Sequence, residues 1–196
     1  MREKADHLTK KAKKEGYPAR SVYKLKEIQE KMSIIKKGDR VLDLGASPGS
    51  WTRYALKEVK DGGEVIAVDR KALGKVSLSG RYQFLKGDIF SSDIQEELKK
   101  RSPFDVIISD AAPDTTGNRT VDTGRSSILC DGILDLALEF LKTGGNCVIK
   151  VFQGGDEQRL LGRIRREYAK AKPLKPKASR NESFEVYFIG MGKKGS

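Results

Sequence analysis

The stretch RVLDLGASPGSW, residues 40–51, decides how this chain is read. A short apolar run, VLDL, breaks at Gly45, turns through Ala46-Ser47-Pro48-Gly49 and resumes as a helical pattern from Ser50. That is a strand entering a helix through a tight turn, the opening unit of a parallel sheet. Pro48 reads as the residue that opens the helix, where a missing N–H costs nothing. Outward from this point the same rhythm repeats. Strands are expected at 40–44, 64–69, 82–86, 104–109, 145–152 and 185–191, most of them rich in Val and Ile and apolar on both faces. Helices are expected at 21–31, 50–60, 94–100, 126–141 and 158–171, with Gly144-Gly145 stopping the fourth. The fold class is α/β, a doubly wound and mostly parallel sheet. Residues 1–35 form a basic helical extension before the first strand, and residues 36–192 carry the sheet, all within one structural domain. The stretch Lys172-Pro-Leu-Lys-Pro-Lys177 breaks the last helix and leads into the final strand.

Composition narrows the chemistry. The formal charge is +12 over 196 residues, a surplus that nucleic acid explains better than a small neutral ligand does, since each phosphate neutralised releases counterions. The competing explanation is solubility or adaptation to heat. The chain has two cysteines and one histidine, His7, so neither a disulfide framework nor a zinc site has material to build on, and no metal is expected. The absence of long apolar runs and of a signal-like N-terminus gives a cytoplasmic expectation.

Ligands of open α/β sheets sit outside the carboxyl ends of the strands. Gly45 and Gly49 let the backbone turn sharply and approach a ligand there. The second strand ends in Asp69, suited to the two hydroxyls of an adenosine ribose, and the third runs into Asp88, suited to an adenine amino group. The loop lacks the third glycine of a dinucleotide fingerprint, which favours S-adenosylmethionine over a nicotinamide cofactor. The spacing GxSxG also matches a hydrolase nucleophile elbow, but that chemistry needs a histidine that His7 is badly placed to supply.

The fourth strand ends FDVIISDAAP and the fifth reads CVIKVFQG. Asp110 alone reads equally as a turn or cap residue, and Lys150 equally as a strand residue that snorkels to water. Neighbouring crossovers nevertheless bring these two strand ends together, where they can form a buried pair facing the cofactor.

With KKAKKEGYPARSVYKLKEI, VLDLGASPGSW, VIAVD, FLKGD, ISDAAPDTTG, VIKVFQG and KPKASRNESFEVYFIG in view, the chain resembles the FtsJ/RrmJ ribose 2′-O-methyltransferases from about residue 8 to residue 192. The resemblance implies a Rossmann-like methyltransferase fold of seven strands with the last antiparallel. It implies a catalytic tetrad of Lys24, Asp110, Lys150 and Glu185, and cofactor contacts from Gly49, Trp51, Asp69, Asp88 and Asp110 besides Gly45. Without it, Lys24 would be one more surface lysine, Trp51 a core residue, and Glu185 one member of an alternating strand that places it beside Tyr187. Asp114 departs from the usual Asn, and Ser50 from a second Gly.

Methyl transfer from a sulfonium is an in-line displacement, so alignment carries much of the rate. Lys150 is expected either to take the ribose proton, which requires burial or a cationic neighbour such as Lys24 to favour its neutral amine, or to stay charged and stabilise the alkoxide. The resemblance implies a ribosomal RNA partner, a uridine ribose of the large subunit, with a transfer-RNA anticodon loop as the alternative. A basic RNA-binding domain without catalysis would leave the tetrad a coincidence, and a small-molecule methyltransferase would leave +12 unexplained. The 10–20 segment and the Arg159–Arg166 helix are the candidate phosphate contacts. A monomer without an obligate protein partner is expected.

Overall fold

The computed structural model describes residues 2–74, 80–179 and 183–195. Two helices open the chain, α1 (Arg2–Lys14) and α2 (Val22–Met32). There follow β1 (Arg40–Leu44), α3 (Ser50–Val59), β2 (Glu64–Asp69), β3 (Tyr82–Lys86), α4 (Ser92–Arg101), β4 (Phe104–Ser109) and α5 (Arg119–Phe140). The chain ends with β5 (Leu141–Phe152), α6 (Glu157–Glu167), β6 (Tyr168–Leu174) and β7 (Glu185–Lys193). Among the described residues the strands make one seven-stranded sheet in the order β3-β2-β1-β4-β5-β7-β6. Its pairings are parallel except those of β7, which runs antiparallel to both β5 and β6. The doubly wound sheet with a reversed last strand is therefore as expected.

Helices cover both faces of the sheet, which is why its central strands are buried almost throughout. On one face α4, α5 and α6 supply Ile94, Leu98, Leu134, Phe140, Leu160 and Ile164 to a core with Leu42, Ile107 and Ile149. On the other, α1, α2 and α3 supply Ala12, Val22, Leu25, Ile28 and Ala55 to a core with Val41, Val106, Val148 and Tyr187. The two leading helices thus share the core of the sheet and are not an arm outside it. No helix among the described residues is long and apolar enough to cross a membrane.

Three local expectations are corrected. The sixth helix stops at Glu167, and Tyr168–Leu174 is a strand, not helix followed by a breaker. This strand lies at the sheet edge, where only Tyr168 is buried and Pro173 is tolerated, so no alternation shows in the sequence. Gly144-Gly145 does not end α5: the helix ends at Phe140, and the Lys193 amine takes the orphan carbonyls of Leu138 and Leu141. Nor does Pro48 open α3. Gly49, at φ +103°, is the cap, and Ser50 the first helical residue.

Candidate active site

The site is built by strand level. Ser109, the last residue of β4, lies opposite Ile149 of β5, so Asp110 emerges beside Lys150. Lys150 lies directly opposite Tyr187 of β7, and Phe152 opposite Glu185, so Lys150, Tyr187 and Glu185 share one face of the sheet. Residue Lys24 is supplied by α2, which packs on that face.

The contacts are continuous. The Lys150 amine pairs with the Asp110 carboxylate at 3.1 Å and donates to the Asp110 carbonyl at 2.5 Å. Tyr187 donates its hydroxyl to the same carboxylate oxygen at 2.5 Å. Lys24 stands over the Tyr187 ring, 5.8 Å from its centre, and pairs with Glu185. Both ion pairs are nearly closed to solvent, with side-chain exposures of 12% and 12% for Lys24 and Glu185, and 10% and 18% for Lys150 and Asp110. Burial, then the Asp110 charge, pushes the Tyr187 phenol far above its ordinary range, so it stays a donor. The four residues expected to converge are therefore linked through a fifth, Tyr187.

Trp51 is buried against that tyrosine, with ring centres 5.7 Å apart, and its indole N–H donates to the Ser21 carbonyl at 3.0 Å. The side chain ties α3 to the start of α2. What Trp51 has left for a ligand is its backbone N–H, one of the unsatisfied donors in the first turn of α3.

At the other end of the crevice, β2 finishes in Asp69, and β3 runs through Gly87 into Asp88, as expected. Asp69 accepts the Ser47 N–H at 2.9 Å on one oxygen and the Lys71 N–H at 2.7 Å on the other, leaving a second lone-pair position on each for a diol. Asp88 accepts the Phe90 N–H at 3.0 Å on one oxygen. The close approach at Gly45 is to protein: a Cβ there would lie 2.6 Å from the Ala111 Cβ. At Gly49 the nearest atoms would be 3.7 Å away, on Leu73, so this glycine keeps the crevice wall low. These carboxylates, the low wall and the open first turn of α3 suit an adenosine bearing an amino acid.

The FtsJ-like methyltransferase family matches residues 17–193. The chain belongs to that family. A relative from Treponema denticola named ribosomal RNA large subunit methyltransferase E is 49% identical over 190 residues, covering 97% of this chain and 96% of that one. One of the same name from Borrelia garinii subsp. bavariensis is 48% identical over 187 residues, covering 94% and 95%. A crystal structure described as that of a ribosomal RNA methyltransferase from Plasmodium falciparum superposes with a TM-score of 0.81 at 26% identity, over 92% of this chain and 100% of that one.

The two residues read from the sequence as departures from the family pattern now have positions. The Ser50 hydroxyl accepts the Ala19 N–H at 2.8 Å and donates to the Ala19 carbonyl at 3.1 Å, locking the α1–α2 segment to α3. Asp114 lies on an exposed loop held by Arg125, which donates to its carbonyl at 3.3 Å. The α6 guanidiniums are a correction. Arg159 pairs with Asp131 and Asp156, and Arg163 with Asp131, Asp135 and Glu167, so these two are engaged with α5 and α6 themselves, leaving Arg165 and Arg166 exposed. Residues 180–182, inside the KPKASRNESF motif, lie outside the described residues.

Asp43 is the group that sequence reasoning passed over. It is 1% exposed inside β1, takes the Thr52 hydroxyl at 2.6 Å on one oxygen, and has no partner among the described residues on the other. Burial, with the Asp110 and Asp69 charges, outweighs the Thr52 hydrogen bond and pushes its carboxyl up to about 7. The only signal was a carboxylate amid an apolar strand. Because the folded carboxyl holds a proton that the unfolded chain releases near 3.8, its contribution to stability falls as pH rises from that value to about 7, then levels off. Asp43→Asn cannot ionise and is expected to lack this decline. Denaturant unfolding at pH 5 and pH 8 should show the variant gaining on the parent by roughly 2–4 kcal/mol. Parallel curves for the two proteins would contradict the buried, proton-binding carboxyl.

Proposed function

We propose that this chain transfers a methyl group from S-adenosylmethionine to a ribose 2′-hydroxyl, that of a uridine in large-subunit ribosomal RNA. One observation carries the reading: the ion pairs Lys150–Asp110 and Lys24–Glu185 meet around Tyr187 on the sheet face beside the acid-tipped ends of β2 and β3. The curated relatives, named for methylation of large-subunit ribosomal RNA, support the substrate.

S-adenosylmethionine supplies an electrophilic methyl group on a sulfonium. Asp69 would hold its ribose, Asp88 its adenine, and Gly45, Gly49, the Trp51 N–H and Asp110 the remainder. Lys150 faces the attacking hydroxyl. Asp110 holds the Nζ through its carboxylate and carbonyl and turns the remaining position to the substrate; as a neutral amine there, its own proton given up to solvent, Lys150 takes the hydroxyl proton as the C–O bond forms and the methyl–sulfur bond breaks, leaving S-adenosylhomocysteine. Lys24 adds positive charge that favours the developing oxyanion, Glu185 balances and orients its ammonium, and Asp110 orients the Lys150 amine. The basic extension of residues 1–35 contributes Lys24 and faces the RNA phosphates with Lys13 and Lys14, both exposed. The enzyme acts as a monomer in the cytoplasm.

The test is to incubate the protein and labelled S-adenosylmethionine with large ribosomal subunits, free ribosomal RNA and transfer RNA, and to map the labelled ribose. One labelled 2′-oxygen in large-subunit RNA is expected. Label confined to transfer RNA would overturn the substrate, and label on a base would overturn the reaction.

A further inference from the structure

The motif KPKASRNESFEVYFIG supplies Glu185, but the residues before that glutamate have no part in the chemistry described so far. Ser179 approaches it nonetheless. The Ser179 hydroxyl donates to Oε1 of Glu185 at 3.0 Å, and the same oxygen pairs with Lys24. The segment carrying Ser179 is fixed to α2 and to the residue run just before it. Lys177 donates its N–H to Glu27 at 2.7 Å, and Arg20 donates to the Ala178 carbonyl at 2.6 Å. Ser179 closes a local turn by donating its own N–H to the Pro176 carbonyl at 2.9 Å. Glu27 and Lys24 stand three positions apart on α2, so the helix presenting the lysine is also the one that anchors the serine.

We propose that Ser179 is a positioning residue for methyl transfer, fixing the rotation of the Glu185 carboxylate and through it the place of the Lys24 ammonium. The proposal rests on the catalytic reading of Lys24 and Glu185 given above. A glutamate carboxylate turns about a broad, roughly two-fold terminal torsion, so one ion pair leaves its orientation loosely set. A second donor on the oxygen that faces Lys24 selects one rotation. Serine suits the task because its hydroxyl donates without adding charge, whereas a third cation would weaken the hold of Glu185 on Lys24. Lys24 is ion-paired with Glu185, so wherever the carboxylate turns the ammonium follows, and displacements of an ångström at a reacting centre are costly in rate.

The test is a double-mutant cycle on the full chain with large-subunit RNA as substrate, reading kcat and both KM values. Ser179→Ala is expected to lower kcat about tenfold, the loss of one charge-assisted hydrogen bond, with both KM values within about twofold. Ser179→Thr keeps the hydroxyl and should recover most of the lost turnover. In a Glu185→Ala background, Ser179→Ala should have almost no further effect, because its action runs through the missing carboxylate. Thermal unfolding of each variant, expected to change little, separates positioning from loss of fold. Full turnover in Ser179→Ala, an equal drop in both backgrounds, or a defect confined to the KM for RNA would each overturn the proposal. Normal turnover in Glu185→Ala alone would instead remove the catalytic reading on which it stands.

Discussion

Lys150→Ala is expected to lower the rate of methyl transfer by about 10²–10⁴-fold while S-adenosylmethionine still binds within about twofold of the parent affinity. The large loss follows from position. Lys150 is the cation held at the level where β4, β5 and β7 meet, and no other described amine pairs with Asp110. The fold should survive, since the β5–β7 pairing uses the backbone and Asp110 keeps the Tyr187 hydroxyl as a donor. Cofactor binding should survive because Asp69 and Asp88 stand at the ends of other strands. Single-turnover rates with labelled cofactor, alongside calorimetric titration, separate the two quantities. Parent-like turnover would take Lys150 out of the mechanism.

Removal of its partner should do more harm. Asp110→Ala deprives the Lys150 amine of its carboxylate and leaves the buried Tyr187 hydroxyl with no acceptor that the structure shows. Breaking a largely buried pair from the acidic side leaves an uncompensated cation, so a loss of about 3 kcal/mol in stability is expected with the loss of activity. Part of that loss belongs to the tyrosine. In a Tyr187→Phe background the orphaned hydroxyl is absent, and Asp110→Ala should cost about 1–2 kcal/mol less. Denaturant unfolding of the four proteins gives the coupling directly. A coupling near zero would mean that the Asp110–Tyr187 hydrogen bond contributes nothing to the fold.

The sheet could be read from the chain because its central strands are buried on both faces and so appear as short, largely apolar runs of Val, Ile and Leu, each closed by Gly or Asp. β6 could not. An edge strand with one buried residue has no alternation to detect, and its pairing with β7 is set by tertiary contact. At the site, Asp110 and Lys150 were visible as charges at the ends of apolar strands. Lys24 and Glu185 became visible only through the resemblance, because an ion pair between α2 and β7 joins parts of the sequence that no local pattern relates. Tyr187 was placed on the correct side of its strand, but its role depends on cross-strand level with Lys150, which only the register supplies. The Arg159 and Arg163 pairs show the opposite limit: a run of arginines looks like a nucleic-acid surface until the aspartates of the facing helix are counted.

The pairing of Lys24 with Glu185 has a consequence for synthesis. Lys24 leaves the ribosome before any strand of the sheet exists, and Glu185 only after β1 to β6 have emerged. A nascent or prematurely ended chain can carry every acid of the cofactor crevice and still lack one jaw of the reacting centre. On the proposed mechanism, turnover therefore waits for β7 to join the sheet and bring Glu185 to the helix that carries Lys24.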